Sequence, residues 1–313
     1  MKVVQSITNC FHKMSTFGKV LIFITLLLII VVFLRNLLGK PSKEGFIDES
    51  SFLFKNSDAV YDDFYASVYD YLVFNQIKND YEVGIIINST FANETSIIAD
   101  IGCGTGHQVK ELSSNTNNLA VIGVDISPSM IQKAKENYPN LKFEQGNALD
   151  GTLFKPESLT HVLCLYFTVY YLEDKTKFFQ NAMDWLMSGG YLIVHLVDRY
   201  KFQPLLNPSN PLYIVTPNTQ NSNNRITKAS VNFDEFIYNA NYKVDVSKDL
   251  AIFEEKFKFK DGKVRKQEQK LYMEDLSTIV TMAQDVGFLI HAKVDMTQCG
   301  YEYEYVYVFI KPT

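Results

Sequence analysis

Cysteine is scarce and scattered. Its four copies, Cys10, Cys103, Cys164 and Cys299, never fall at metal-ligand spacing, which excludes a zinc knuckle and a disulfide framework together. Glycine and proline are sparse as well, 15 and 9 of 313 residues, so collagen-like and low-complexity readings fall away. Positive charge is short: 30 Lys and Arg face 35 Asp and Glu, a formal net charge of -5. Residues 1–45 hold six basic residues and one acidic residue, and the remainder, 24 against 34, carries -10. A body of that sign repels a phosphate backbone, which argues against a nucleic-acid partner. What the chain has in quantity is apolar side chains, 47% of its residues, enough to bury a sizeable core.

Long hydrophobic runs are absent except for one. From Val20 to Leu34 the chain reads VLIFITLLLIIVVFL, bounded by Lys19 and Arg35 and extended by Leu37 and Leu38. Fifteen helical residues rise about 22 Å, short of a hydrocarbon core of about 30 Å, but flanking Lys and Arg can snorkel to the interfaces. A long preceding flank and the lack of a small-x-small site argue against a cleaved leader. The expected organisation is a flank at 1–19, a single-pass membrane anchor at 20–38, a linker at 39–51 and a folded domain at 52–313. Lys2, Lys13 and Lys19 before the run balance Arg35, Lys40 and Lys43 after it, so basic residues leave the orientation open. Asn88 and Asn93 head glycosylation sequons that matter only for a lumenal domain.

The folded part opens with Tyr61, Tyr65 and Tyr69, spaced to share one helical stripe that is either a packing face or a ligand wall. From Ser96 the pattern alternates. SIIADIG (96–102), LAVIGVDI (119–126), LKFEQGN (141–147), HVLCLYF (161–167) and YLIVHLV (191–197) read as buried strands. Helices are predicted at 107–114, 128–137 and 174–187, the second with Ser127 as N-cap and Pro128 at N1. Such alternation gives a parallel α/β sheet whose ligand site lies at the carboxyl ends of its strands.

The first strand runs into Asp100-Ile-Gly-Cys-Gly-Thr-Gly106 and then a helix at His107. Gly102, Gly104 and Gly106 free the backbone to turn sharply and approach a ligand. The spacing is GxGxG rather than the GxGxxG of dinucleotide sites. The second strand ends in Asp125, a carboxylate able to accept from both hydroxyls of a ribose. The third is followed by Asn147 and Ala148, where an amide can pair with an adenine edge, with Ile126 and Met130 as apolar ring contacts.

Together DIGCGTG, VIGVDIS and QGNALD resemble the class I S-adenosylmethionine-dependent methyltransferases, and the antiparallel insertion after strand five resembles that of the small-molecule N-methyltransferase type. The resemblance covers residues 58–198, and HAKVDMT and YVYVFIK match the family's closing strands. It implies a Rossmann-like α/β fold: a seven-stranded, mostly parallel sheet, its last strand antiparallel, with an antiparallel insertion after strand five. It implies S-adenosyl-L-methionine as cofactor, with Asp100, Gly102, Cys103, Gly104, Gly106 and His107 at the methionine side and Asp125 at the ribose. Ile126, Met130, Asn147, Ala148, Leu165 and Tyr61 complete the expected cofactor set. Asn147 stands where many members carry Asp.

Residues 199–273 interrupt the scaffold. Within them FEEKFKFKDGKVRKQEQKLYM reads as a hairpin turning at Asp261-Gly262, a charged outer strand whose lysines share one solvated face with Glu254, Glu255 and Glu268 nearby. YIVTPNTQNSNNRITKA is expected to be a mobile loop at the site mouth. Tyr166, His195 and Tyr65 are the candidate catalytic residues. His195 is alternatively a satisfied sheet histidine, and His161 is expected to be structural. No metal is required, and neither the NPPY-like tetrapeptide nor the Pro-Cys pair of base-modifying methyltransferases is present. The expectation is a membrane-anchored methyltransferase, its body facing the cytosol where methyl donor is made. The acceptor is small or lipid-associated, amine slightly favoured over oxygen. The alternative is a membrane-tethered cofactor-binding scaffold without turnover. Partners are the small molecule and the membrane, with no nucleic acid and an unknown oligomeric state.

Overall fold

A computed structural model describes residues 15–20, 23–25, 27, 30, 52–115, 120–205 and 227–313. The chain divides into two units, Met1–Glu49 and Ser50–Thr313. In the first, residues 16–20, 23–25, 27 and 30 are helical, and Phe17, Val20, Phe23, Ile24, Leu27 and Ile30 are exposed. The anchor expected at 20–38 lies largely outside the described residues, and the linker at 39–51 wholly so. No helix among the described residues is long and apolar enough to cross a membrane.

The second unit starts with β1 (Phe52–Asn56), followed by α1 (Asp63–Val73) and α2 (Gln76–Thr90). Each helix opens on a side-chain cap: Asp62 accepts from Tyr65 N, and Asn75 from Lys78 N. Alternating strands and helices follow: β2 (Ile97–Ile101), α3 (His107–Asn115), β3 (Ala120–Asp125), α4 (Pro128–Asn137), β4 (Lys142–Gln145), β5 (Leu159–Cys164), the short α5 (Thr168–Tyr171), α6 (Lys175–Trp185) and β6 (Leu186–Val197). The predicted cap is present, Ser127 accepting from Met130 N with Pro128 in the first turn. Next come β7 (Lys228–Asn232), β8 (Phe236–Asp245), β9 (Leu250–Phe259) and β10 (Val264–Tyr272). α7 (Leu276–Val286), β11 (Leu289–Asp295) and β12 (Glu304–Ile310) close the chain.

Two sheets result. The seven-stranded sheet runs β11-β12-β6-β5-β2-β3-β4. Within it β4, β3, β2, β5 and β6 are mutually parallel, and β12 is antiparallel to β6 and to β11. Its central strands are buried on both faces, which explains why they read as continuous apolar runs. The closing strands form the antiparallel pair that the family resemblance implies. The second sheet, β1-β10-β9-β8-β7, is antiparallel except where β1 joins β10 in parallel. β1 is a strand that the sequence analysis did not anticipate, and Lys228 begins β7 where a loop was expected. Residues 213–226 of that loop lie outside the described residues.

His161 is structural as expected. It is buried between the hydroxyls of Thr90 and Thr160, at 2.9 and 2.7 Å, and burial pushes its imidazole down to about 4. Glycines separate into two kinds. At Gly106, φ is 91° and an added Cβ would sit 2.7 Å from Phe143 Cζ; at Gly262 in the β9–β10 turn, φ is 92° with nothing within 4 Å. Gly106→Ala should therefore cost about 3 kcal/mol or more, combining backbone strain with overpacking. Gly262→Ala should cost about 1 kcal/mol, from strain alone. Urea unfolding of the two variants measures the difference, and equal losses would show that Phe143 yields freely.

Candidate active site

The loop after β2 is held from two sides. Gly102 N and Cys103 N both donate to Val124 O, at 2.7 and 3.0 Å, drawing the loop onto the end of β3. Gly104 N then donates to Asp125 Oδ2 at 3.0 Å, and Ser127 N to Asp125 Oδ1 at 2.9 Å. One carboxylate thus fixes both the glycine loop and the start of α4, and each oxygen keeps acceptor capacity for a ligand hydroxyl. Burial pushes the Asp125 carboxyl up, while the amides of Ser127, Gly104 and Ile126 pull it back.

The three glycines do different work. Gly104 has φ 54°, and an added Cβ would find only Tyr69 Cε1, at 3.6 Å, so the backbone here faces open space. At Gly102 a Cβ would collide with the Thr168 side chain, and Gly106 packs beneath Phe143 and Tyr138. Gly106 does not line either recess described below. Its place in the expected cofactor set is corrected to a packing position.

A cavity of about 260 Å³ extends from this loop. Gly102, Gly104, Asp125, Ile126, Met130, Asn147 and Ala148 line one end, all of them predicted. Asn147 Oδ1 accepts from Leu149 N at 2.9 Å, which leaves its amide nitrogen to donate. Tyr61, Tyr65, Tyr69 and Tyr166 line it too. The tyrosine stripe is thus a wall of the cavity, with Tyr61 just ahead of α1 and ring centroids 5.5 and 5.9 Å apart along the row. Burial holds all three phenols above their ordinary range.

A smaller recess of about 110 Å³ shares Tyr69, Gly102, Gly104 and Tyr166 with the first. Asp100, Cys103, His107 and Leu165 line it, together with Lys78, Asn79, Glu82 and Gln108. Burial, with Glu82 and Asp125 nearby, pushes the Asp100 carboxyl up to about 8. Asn79 Nδ2 and Gln108 Nε2 are buried without a hydrogen-bond partner. Orphaned amide donors beside a protonated acid suit a ligand that carries both a carboxylate and an ammonium group. An amino-acid end at this recess and a nucleoside at the Asp125 end fit the residues present. His107 instead braces the loop: Nε2 lies 3.0 Å from Asp70 Oδ2, Nδ1 is 2.8 Å from the Tyr138 hydroxyl, and the ring stacks on Phe74 at 3.8 Å.

His195 is corrected. It is fully buried, lines neither recess, and donates from Nδ1 to Tyr166 O at 2.8 Å. Its Nε2 lies 3.0 Å from Glu304 Oε2, without hydrogen-bond alignment. The sheet-histidine alternative is the one observed, with His195 on the sheet face it shares with Glu304 of β12 and only its Nδ1 hydrogen-bonded. What it holds is Tyr166, which adopts φ 52° and lines both recesses.

The sequence analysis missed the opposite wall. Glu255 is buried rather than solvated, since alternation along β9 turns Ala251, Glu255 and Phe257 inward and Lys256 and Lys258 outward. Its carboxylate accepts from the hydroxyls of Tyr65 (3.0 Å) and Tyr238 (2.7 Å) and from the amides of Gln267 (2.6 Å) and Gln269 (2.8 Å). Gln269 in turn accepts from Tyr61 and Tyr171 at 2.9 and 2.5 Å. The available signal was the run Arg265, Gln267, Gln269 at period two, polar on the face that should have been apolar.

Comparison with known proteins agrees with this geometry. Residues 98–190 match the family model described as a methyltransferase domain. A trans-aconitate 2-methyltransferase of Rhodopseudomonas palustris (strain BisB5) is 34% identical over 101 residues, 32% of this chain and 38% of that protein. The match therefore spans about two fifths of the relative's length. The CcbJ methyltransferase of Streptomyces caelestis superposes with a TM-score of 0.62 at 17% identity, over 82% of this chain and 99% of that one. CalS10 of Micromonospora echinaspora, described as an amino pentose methyltransferase, gives 0.55 at 16%, over 79% and 96%. The fold is thus the one these solved methyltransferases share, and residues 98–190 are similar to a methyltransferase domain.

Because His195 braces rather than reacts, His195→Leu should cost about 3 kcal/mol of stability by stranding the buried Glu304. S-adenosylhomocysteine affinity should stay unchanged by calorimetry. A stable variant that loses turnover alone would return His195 to the chemistry.

Proposed function

We propose that the protein transfers a methyl group from S-adenosyl-L-methionine to a small acceptor held between the glycine loop and the inner face of the five-stranded sheet. The observation that carries this reading is that one cavity joins the Gly104–Asp125 end to Glu255 and Tyr238. Asp125 would hold the ribose, Asn147 the adenine edge, and Asp100, Asn79 and Gln108 the amino-acid end. When bound, the cofactor supplies a methyl group already electrophilic at carbon. The chain's own work is to aim a nucleophile, exclude water and accept a proton. The tyrosines supply the dry wall, and burial keeps them neutral donors rather than bases.

An amine or another neutral or cationic acceptor is favoured over a polycarboxylate such as trans-aconitate. No Lys, Arg or His among the described residues lines the cavity, whereas Glu255 does. A polyanion would enter with no counter-charge. We also propose, on the apolar run 20–34 alone, that the protein is anchored in a membrane with this unit on the side where methyl donor is made.

Two measurements test the assignment. Asp125→Ala should weaken S-adenosylhomocysteine binding by about 1 to 3 kcal/mol with the fold intact, since a charged acceptor is lost; calorimetry giving an unchanged constant would refute the ribose placement. Asp100 should be protonated at pH 7 in the unliganded protein, because its folded value is raised to about 8. Binding a cationic amino-acid end then favours its ionised form. Calorimetry in two buffers of different ionisation enthalpy should show release of close to one proton at pH 7, absent in Asp100→Asn. Equal proton counts in the two proteins would mean that Asp100 does not face that end.

A further inference from the structure

The outer face of the five-stranded sheet has a charge pattern that its own fold does not use. Register places Phe54 opposite Lys266 and Lys266 opposite Lys256; in the neighbouring row Phe52 faces Val264, Val264 faces Lys258 and Lys258 faces Ile237. Phe52, Phe54 and Ile237 are 42%, 51% and 41% exposed, and the three lysines are exposed beside them. The next row inward brings Glu268 opposite Glu254. Like charges directly across a ladder repel, so both pairs weaken the sheet, and exchanging one member of each would remove the repulsion. Among the described residues no carboxylate lies within ion-pair distance of Lys256, Lys258 or Lys266, whereas Lys243 at the acidic end meets Glu254 at 2.7 Å and, with Lys266 farther off, holds its carboxyl below the ordinary range. The segregation leaves one end of the face cationic and aromatic, on a body whose net charge is -10.

We propose that this end of the face, from Phe52 and Phe54 across Lys266, Lys256 and Lys258, rests on an anionic phospholipid surface. Three ammonium groups outside ion-pair distance of any described carboxylate, Lys266 acting on Glu254 only at longer range, interleave with exposed aromatic and aliphatic side chains and match a headgroup layer, which takes the charge at its surface and the rings just beneath. Each lysine near such a surface strengthens the contact about fivefold, and the effect decays over a Debye length of about 8 Å at physiological salt. β1 is also where the chain enters this unit. The thirteen residues 39–51 separate it from the apolar run and span at most about 45 Å.

The test uses the full chain with vesicles of phosphatidylcholine, part of it with brominated acyl chains, mixed with phosphatidylserine. Trp185 is fully buried, so Phe54→Trp adds the one exposed reporter at the face. Phe91→Trp, 76% exposed after α2, is the control away from it. The bromolipid should quench most of the emission added at position 54 and little of that added at 91. Lys256→Glu with Lys266→Glu should lower the lipid-bound fraction of the reporter about tenfold or more, and raised salt should act likewise. Phe52→Trp repeats the reading should the first reporter perturb the edge strand. The proposal is overturned if the emission at 54 is untouched in vesicles that carry the protein, or quenched equally without phosphatidylserine. Failure to bind anionic vesicles, or binding of polyuridylate at these lysines without lipid contact, overturns it too. Cofactor binding is unaffected by any of these outcomes, so the result stands apart from the methyltransferase reading.

Discussion

Everything at the ligand end depends on a single carboxylate bonded to two backbone amides. Asp125 sits at the last position of β3, and its two oxygens reach Gly104 N in one loop and Ser127 N at the start of α4. Ser127 passes the constraint on, capping α4 and donating to Tyr61 O at 2.7 Å. Tyr61 leads into α1, whose tyrosines form the cavity wall. The floor, one helix and the wall are therefore positioned from one residue, and a ligand hydroxyl that joins Asp125 binds to the most constrained point of the site.

The far wall is tied to the same helix. Asp62, the cap of α1, accepts two hydrogen bonds from Arg265 on β10, at 2.9 and 2.8 Å. Tyr65, one turn on, donates to Glu255 on β9. α1 thus bridges the strand tips of one sheet and the inner face of the other, through an ion pair at its start and phenols along its side. Any rigid shift of the five-stranded sheet must carry α1 with it and so alter the cavity at both ends.

The seven-stranded scaffold was legible because its signals are local. A buried parallel strand is a short apolar run, a cap such as Ser127-Pro128 marks a helix start, and the glycine loop joins the two. The second sheet was half legible: its hairpin turn at Gly262 was plain, but which face of β9 and β10 is solvated depends on what packs against it. Glu255 reads as a surface residue until Tyr65 and Tyr238 are known to reach it. His195 failed for a related reason. A strand position specifies a face by alternation, yet only the placement of β12 beside β6 shows that the face belongs to Glu304. β1 was missed because five residues that pair in parallel with a strand more than two hundred positions away leave no local trace.

The charges of the site form one pattern. Asp100, Asp125 and Glu255 are each driven above their ordinary range, burial being the largest cause for each, and among the described residues no buried cation is paired with them to reverse it. Lys78 is committed to Glu82 at 2.6 Å, and Arg265 to Asp62. Asp125 and Glu255 line the larger cavity and Asp100 the smaller recess, and burying three acids without an ion-pair partner among the described residues is destabilising. What these places lack is positive charge, at Asp100, at Asp125 and at Glu255, where the proposed function puts the amino-acid end, the ribose and the acceptor. A ligand that bears a sulfonium and an ammonium supplies that charge, and an anionic acceptor would deepen the deficit. The same electrostatic reasoning thus underlies both halves of the proposed function, a cationic donor and an acceptor that is not a polycarboxylate.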